Sequence, residues 1–186
     1  RYNDFEYEWV GRDTWTYSRT FTVDYNLTSR VSWLHCDGID TVAEIFINEI
    51  SVAKVDNQHR IYWIDVTNAV KQGKNTIVVV FQTCWAPFKD THRAFIRKAQ
   101  NGFGWDWGPA YGTVGIYRDI SLVSTDSAVV SLITPQVMMD EQKNWSVKVA
   151  VYLQCKRNTQ GRVKVSIEDI VSESVMVDCL KDGEHR

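Results

Sequence analysis

Apolar and polar residues alternate with a period of two along most of this chain. That rhythm restricts it to β-strands with one dry and one wet face. Trp15, Tyr17, Phe21 and Val23 alternate with Thr14, Thr16, Ser18, Thr20 and Thr22, with Arg19 interrupting the apolar side. Val147, Val149, Val151 and Leu153 do the same, as do Val163, Val165 and Ile167. Denser apolar runs at 43–47 and 77–81 predict strands covered on both faces. Further strands are expected at 31–36, 62–66, 116–123, 128–134, 162–169 and 174–178. No helical periodicity exceeds about two turns.

Turn chemistry separates these runs. Asp37-Gly38 and the segment 72–75 break the chain, and 158–161 predicts a hairpin between the two cleanly alternating strands. Asn48-Glu49 lies between two apolar runs and reads as a two-residue hairpin turn, not as an acid/base carboxylate with its asparagine neighbour. Regularly spaced short strands with few helices imply an all-β sandwich or jelly roll. The polar stretch 124–126 marks a boundary, giving a first domain at 1–123 and a second at 124–186. Four strands follow it, too few for an immunoglobulin-like sandwich of about seven, so the second is expected to be partial.

Composition removes several function classes. Charged residues make up 24% and the net charge is -2, a near-balance that argues against a basic face for nucleic acid and against a polybasic membrane patch. No apolar run is long enough to span a membrane, and no signal-peptide pattern opens the sequence. The four histidines show no metal-ligand spacing, no nucleophile elbow occurs, and no cofactor or metal is expected. Cys36, Cys84, Cys155 and Cys179 fit no zinc pattern; four buried thiols or two disulfides of any connectivity remain open. Asn26-Leu27-Thr28 and Asn144-Trp145-Ser146 are glycosylation sequons, with Asn26 and Asn144 as acceptors.

The most informative segment is Phe103-Gly104-Trp105-Asp106-Trp107-Gly108-Pro109, preceded by Phe95-Ile96-Arg97-Lys98. Glycine and proline surround two indoles and a carboxylate, so it is a turn-rich loop. An indole covers the C–H face of a sugar, and a carboxylate accepts hydroxyl protons in charge-assisted hydrogen bonds. Trp105, Asp106 and Trp107 are therefore the substrate-binding candidates. A tight corner whose indoles plug the core while Asp106 caps backbone amides fits the same residues. Arg97 and Lys98 reach a site or solvate the loop, and for Lys98 solvation is the expectation.

These residues resemble a family. Tyr2-Asn3-Asp4 and the run Trp9-Val10-Gly11-Arg12-Asp13-Thr14-Trp15-Thr16-Tyr17 are similar to the opening of β-mannosidases of glycoside hydrolase family 2. Phe46-Ile47-Asn48-Glu49, Ile64-Asp65-Val66-Thr67 and Gly73-Lys74-Asn75 resemble that family's sugar-binding jelly roll. The Phe95 to Pro109 stretch, with Gly115-Ile116-Tyr117-Arg118-Asp119-Ile120, resembles the mannosidase branch. The resemblance implies a galactose-binding-like jelly roll lacking its first strand, then part of an immunoglobulin-like sandwich. It implies a retaining hydrolase of terminal β-mannose on oligosaccharides and glycoproteins, lysosomal in animals. Both catalytic Glu residues of that family lie in a TIM barrel of the same full-length chain, so no catalytic residue is assigned here. Trp105 would pack beside the sugar and Asp106 would bind its hydroxyls. The rival readings are a lectin-like module without hydrolase activity and an adhesion sandwich without a sugar site.

Overall fold

The computed structural model describes residues 2–28, 30–88, 95, 97–104, 110–168, 170–180 and 184–185. They form two compact units, one of Arg1–Thr28 with Ser32–Ser124, the other of Ser29–Val31 with Thr125–Arg186.

The first unit opens with two one-turn helices, α1 (Asn3–Glu6) and α2 (Trp9–Arg12). The strands follow: β1 (Trp15–Val23), β2 (Val31–Cys36), β3 (Ile39–Asp40), β4 (Ala43–Ile47), β5 (Ile50–Val55), β6 (Tyr62–Asp65), β7 (Gly73–Phe81), β8 (Gly115–Ile116) and β9 (Ile120–Thr125). One sheet runs β1-β7-β4-β5, a second β6-β2-β9, and β3 pairs with β8. Val23, Ile45, Ile47, Val79 and Phe81 from the first sheet meet Leu34, Cys36 and Ile64 from the second in one core cluster. This is a β-sandwich whose core is the sum of the inward-facing positions. Each fully buried aliphatic or aromatic side chain contributes roughly 1.5–3 kcal/mol of transfer free energy.

The strand expected at 116–123 is broken, because β8 and β9 are separate. Tyr117 turns its hydroxyl to the Gln58 carbonyl at 2.5 Å, and the Asp119 carbonyl accepts the Asp37 amide at 3.0 Å. Those contacts draw 117–119 off the ladder. Asn48 and Glu49, at φ 49° and 69°, form the β4–β5 turn. The Asn48 amide nitrogen donates to the Ala69 carbonyl at 2.8 Å and to Asn75 Oδ1 at 2.7 Å, and its Oδ1 accepts the Thr76 amide at 3.0 Å. Asn48 therefore serves the turn and its surroundings, where asparagine tolerates the left-handed backbone.

The second unit holds β10 (Ala128–Met139), β11 (Trp145–Cys155), β12 (Thr159–Ile167), β13 (Val171–Cys179) and β14 (Glu184–His185). The pairing is β10-β11-β14 and, separately, β12-β13. The hairpin expected at 158–161 is thus corrected: the link joins strands of different sheets. β12 already begins at Thr159, and its alternate side chains Val163 and Val165 face the same cleft as Val149, Val151 and Leu153 of β11. Sharing a dry face holds the two strands across from each other, not side by side. Cys155 and Cys179 form a disulfide between the ends of β11 and β13, while Cys36 and Cys84 are free and buried.

Candidate functional site

Trp105, Asp106 and Trp107 lie outside the described residues, but both flanks of their segment are defined. On the entry side a one-turn helix at Asn101–Phe103 ends at Gly104, whose φ of 122° requires glycine. On the exit side Ala110 leads to β8 through Tyr111, Gly112, Thr113 and Val114. The flanks touch: a Cβ added at Gly102 would stand 2.9 Å from the Tyr111 carbonyl oxygen. Gly112 leaves no room for a side chain either, since a Cβ there would strike Cys84 Sγ and lie 3.1 Å from the Phe103 ring.

Aromatic packing anchors the entry flank. Phe103 meets Trp85 edge-on at 4.8 Å and Phe88 at 4.9 Å between ring centroids. Gln58 clasps the segment before this helix: its backbone N–H donates to the Arg97 carbonyl at 2.8 Å, and its side-chain Oε1 accepts the Ala99 amide at 2.8 Å.

Lys98 overturns the expectation of a solvated cation. Its side chain is 1% exposed, and Nζ donates to Asp40 Oδ1 at 2.5 Å and to the Thr113 carbonyl at 2.6 Å. Asp40, 5% exposed, also accepts the Thr41 hydroxyl at Oδ1 and the Thr113 hydroxyl at Oδ2, the latter at 2.6 Å. The Phe103 ring stands 5.7 Å from Nζ. A buried ammonium persists only when paired and hydrogen-bonded, and here Lys98 has both a carboxylate partner and a carbonyl acceptor. Burial also pushes the neighbouring Cys84 thiol above its ordinary pKa, with Lys98 pulling in the opposite direction. Asp40 and Thr113 were not singled out from sequence. They are 58 and 15 residues from Lys98, and no local spacing signals such a meeting.

A cleft of about 390 Å³ opens beside the exit flank, lined by Tyr7, Val10, Trp15, Tyr17, Tyr111 and Thr113 among others. Its size and aromatic walls suit a small ligand with an apolar face. A larger cleft of about 580 Å³ runs between the β1 and β9 edges and borders neither flank. Of the remaining candidates, Asn26 and Asn144 are both exposed. The Asn26 side chain accepts the Thr28 amide at 2.7 Å, and the Asn144 amide group is held by Asp140 at 3.0 Å in the β10–β11 turn. Hydrogen bonds from Asn144 keep the Asp140 carboxyl below its ordinary pKa. His35 stacks on Trp63 at 4.0 Å, a packing role. Among the described residues no group of three or more His, Cys, Asp or Glu side chains is placed to hold a metal, and no helix is long and apolar enough to cross a membrane.

An all-β chain whose first unit packs two antiparallel sheets over one core defines a galactose-binding-like β-sandwich. Residues 1–118 match the glycosyl hydrolase 2 galactose-binding domain-like family, and the chain belongs to that family. The β-mannosidase of Mus musculus is 30% identical over 93% of this chain and 22% of its own length. That of Bos taurus is 34% identical over 80% of this chain and 20% of its own. The chain therefore spans about a fifth of the curated relatives it matches. Among solved structures, the β-D-mannosidase of Dictyoglomus thermophilum superposes with a TM-score of 0.82 at 24% identity, covering 99% of this chain and 25% of that one. An exo-chitosanase of Amycolatopsis orientalis gives 0.72 at 18%, covering 94% and 20%. At these identities the two structures speak for the fold.

Proposed function

We propose that this chain is the non-catalytic front portion of a retaining β-mannosidase that releases terminal β-D-mannose from oligosaccharides and glycoproteins. The catalytic Glu pair then belongs to a TIM barrel of the full-length protein, set about 5–5.5 Å apart as a retaining mechanism requires. This chain adds substrate contacts. Trp105 and Trp107 offer apolar faces to the mannose ring, and Asp106 accepts its hydroxyl protons. The single observation that carries this reading is the pinned pair of flanks around 105–109, next to an aromatic cleft of about 390 Å³. A loop that must fix a sugar within a fraction of an ångström needs a rigid base.

The second unit is the first part of an immunoglobulin-like sandwich in this reading, and the protein travels the secretory route to the lysosome. A disulfide between Cys155 and Cys179 suits an oxidising compartment, and exposed Asn26 and Asn144 are accessible to glycan transfer. Glycan release from protein made in a secretory host is expected to remove mass at both sites; an unchanged mass would exclude them.

Turnover by the full-length protein tests the assignment. An aryl β-mannoside is expected to be hydrolysed with retention and in clear preference to the β-galactoside. A full-length protein that hydrolyses neither, while binding mannosides on a glycan array, would select a lectin-like module instead.

A further inference from the structure

We propose that Asn101 is a site of spontaneous deamidation, and that its isoaspartyl product loosens the chain between Ala99 and Phe103. Asn101 alone among the chain's asparagines is followed by glycine. It is exposed, and Gly102 carries no side chain to screen the backbone between them. Gly102 sits in the first turn of the Asn101–Phe103 helix, so its N–H has no partner within the helix. Among the described residues no other acceptor reaches that N–H. One backbone hydrogen bond, from the Phe103 N–H to the Gln100 carbonyl at 3.1 Å, closes the turn. A single turn held this way opens locally at little cost.

The chemistry needs only water. The Gly102 nitrogen gives its proton to hydroxide and attacks Asn101 Cγ. An N–C bond forms there, and the side-chain nitrogen, taking a proton from water, leaves as ammonia. Water then opens the resulting succinimide at either carbonyl, giving aspartate or isoaspartate with no change of oxidation state. Isoaspartate routes the backbone through Cβ and Cγ, one carbon longer than before. That carbon falls between two fixed points. Upstream, Gln58 holds the Arg97 carbonyl and the Ala99 amide, both at 2.8 Å. Downstream, Gly102 lies against the Tyr111 carbonyl, where even a Cβ would stand only 2.9 Å away, and Phe103 packs edge-on against Trp85 and Phe88. The added length is taken up only by releasing the Phe103–Gln100 bond or the Phe103 ring. Aspartate leaves the backbone as it was and adds one exposed charge.

The test ages the intact, folded protein in neutral and in mildly alkaline buffer. Mass spectrometry reads each asparagine-bearing peptide, with fragmentation separating aspartate from isoaspartate. Conversion at Asn101 is expected to run at least 10-fold faster than at Asn57 or Asn68, and to quicken in the alkaline buffer. Conversion no faster than at those two positions overturns the proposal, as does conversion seen only after unfolding in denaturant. The isoaspartyl fraction is then compared with the Asn101→Asp variant by hydrogen exchange. Its Ala99 and Phe103 amides are expected to exchange at least 10-fold faster than those of Asn101→Asp, which keeps the parent's rates. Equal rates in the two forms overturn the proposal, because the added charge alone would then account for whatever is seen.

Discussion

The two units solve the same problem by different means. Among the described residues, the first buries fourteen in one cluster that draws on both sheets, with Phe81, Ile39, Ile45, Ile47 and Cys36 at 0% exposure. In the second, among the described residues of 125–180, only Cys155 and Cys179 are buried, each 2% exposed, and they are joined. Val137, Trp145, Val175 and Met176 of its strands stand 59–70% exposed. Strand pairing by itself gives little net stability, because water satisfies the same groups in the unfolded chain. Core burial stabilises the first unit; in the second, with few buried side chains, a covalent link restricts the unfolded chain.

The largest effect expected from this contrast is in the first core. Phe81→Ala removes a fully buried ring and should cost about 3–5 kcal/mol, whereas Met176→Ala, opposite Arg162 on the outer face of β13, should change stability by no more than about 0.5 kcal/mol. Equal losses in denaturant titrations would dissolve the distinction. Next, the disulfide closes a loop with a sequence separation of 24. Its reduction, or Cys155→Ser/Cys179→Ser, should cost the second unit about 3–4 kcal/mol on the chain-entropy account. Calorimetry should show that transition moving while the first unit's stays in place.

A third effect, smaller per pH unit, comes from alkali. Burial, with Asp37 adding to it, pushes the Cys36 thiol from 9.0 up to about 12. The folded state therefore keeps a proton that the unfolded state loses above pH 9. The thiol's contribution is intact below pH 9 and declines between pH 9 and about 12, by up to about 1.4 kcal/mol per pH unit. Cys36→Val should flatten that part of the first unit's stability profile and leave the second unit's unchanged.

What the sequence disclosed follows the same division between local and distant causes. Strands β2, β4 and β11 are where alternation and apolar density placed them, since side-chain period is a local property. Turn chemistry likewise read Asn48-Glu49 correctly. β10 runs five residues beyond the expected end at 134, through Pro135 to Met139. Proline signals a stop, but β10 is an edge strand, where a missing amide hydrogen need not interrupt the ladder. Strand partners were less legible than strands: nothing within 158–161 reveals that β12 crosses to another sheet. The candidate site divides the same way. The loop that glycines and indoles lead one to expect at 103–109 falls mostly outside the described residues, and the burial of Lys98 depends on Asp40 across the fold. A charged residue read in isolation defaults to solvent.

The central claim is that the segment after this buried pair meets a mannose. Its most direct test is Asp106→Ala in the full-length protein, assayed on an aryl β-mannoside with Tm measured alongside. Losing a charge-assisted hydrogen bond, with the reorganisation that follows, predicts a fall in kcat/KM of about 10²-fold or more at unchanged Tm. A folded variant with near-normal kcat/KM would contradict it.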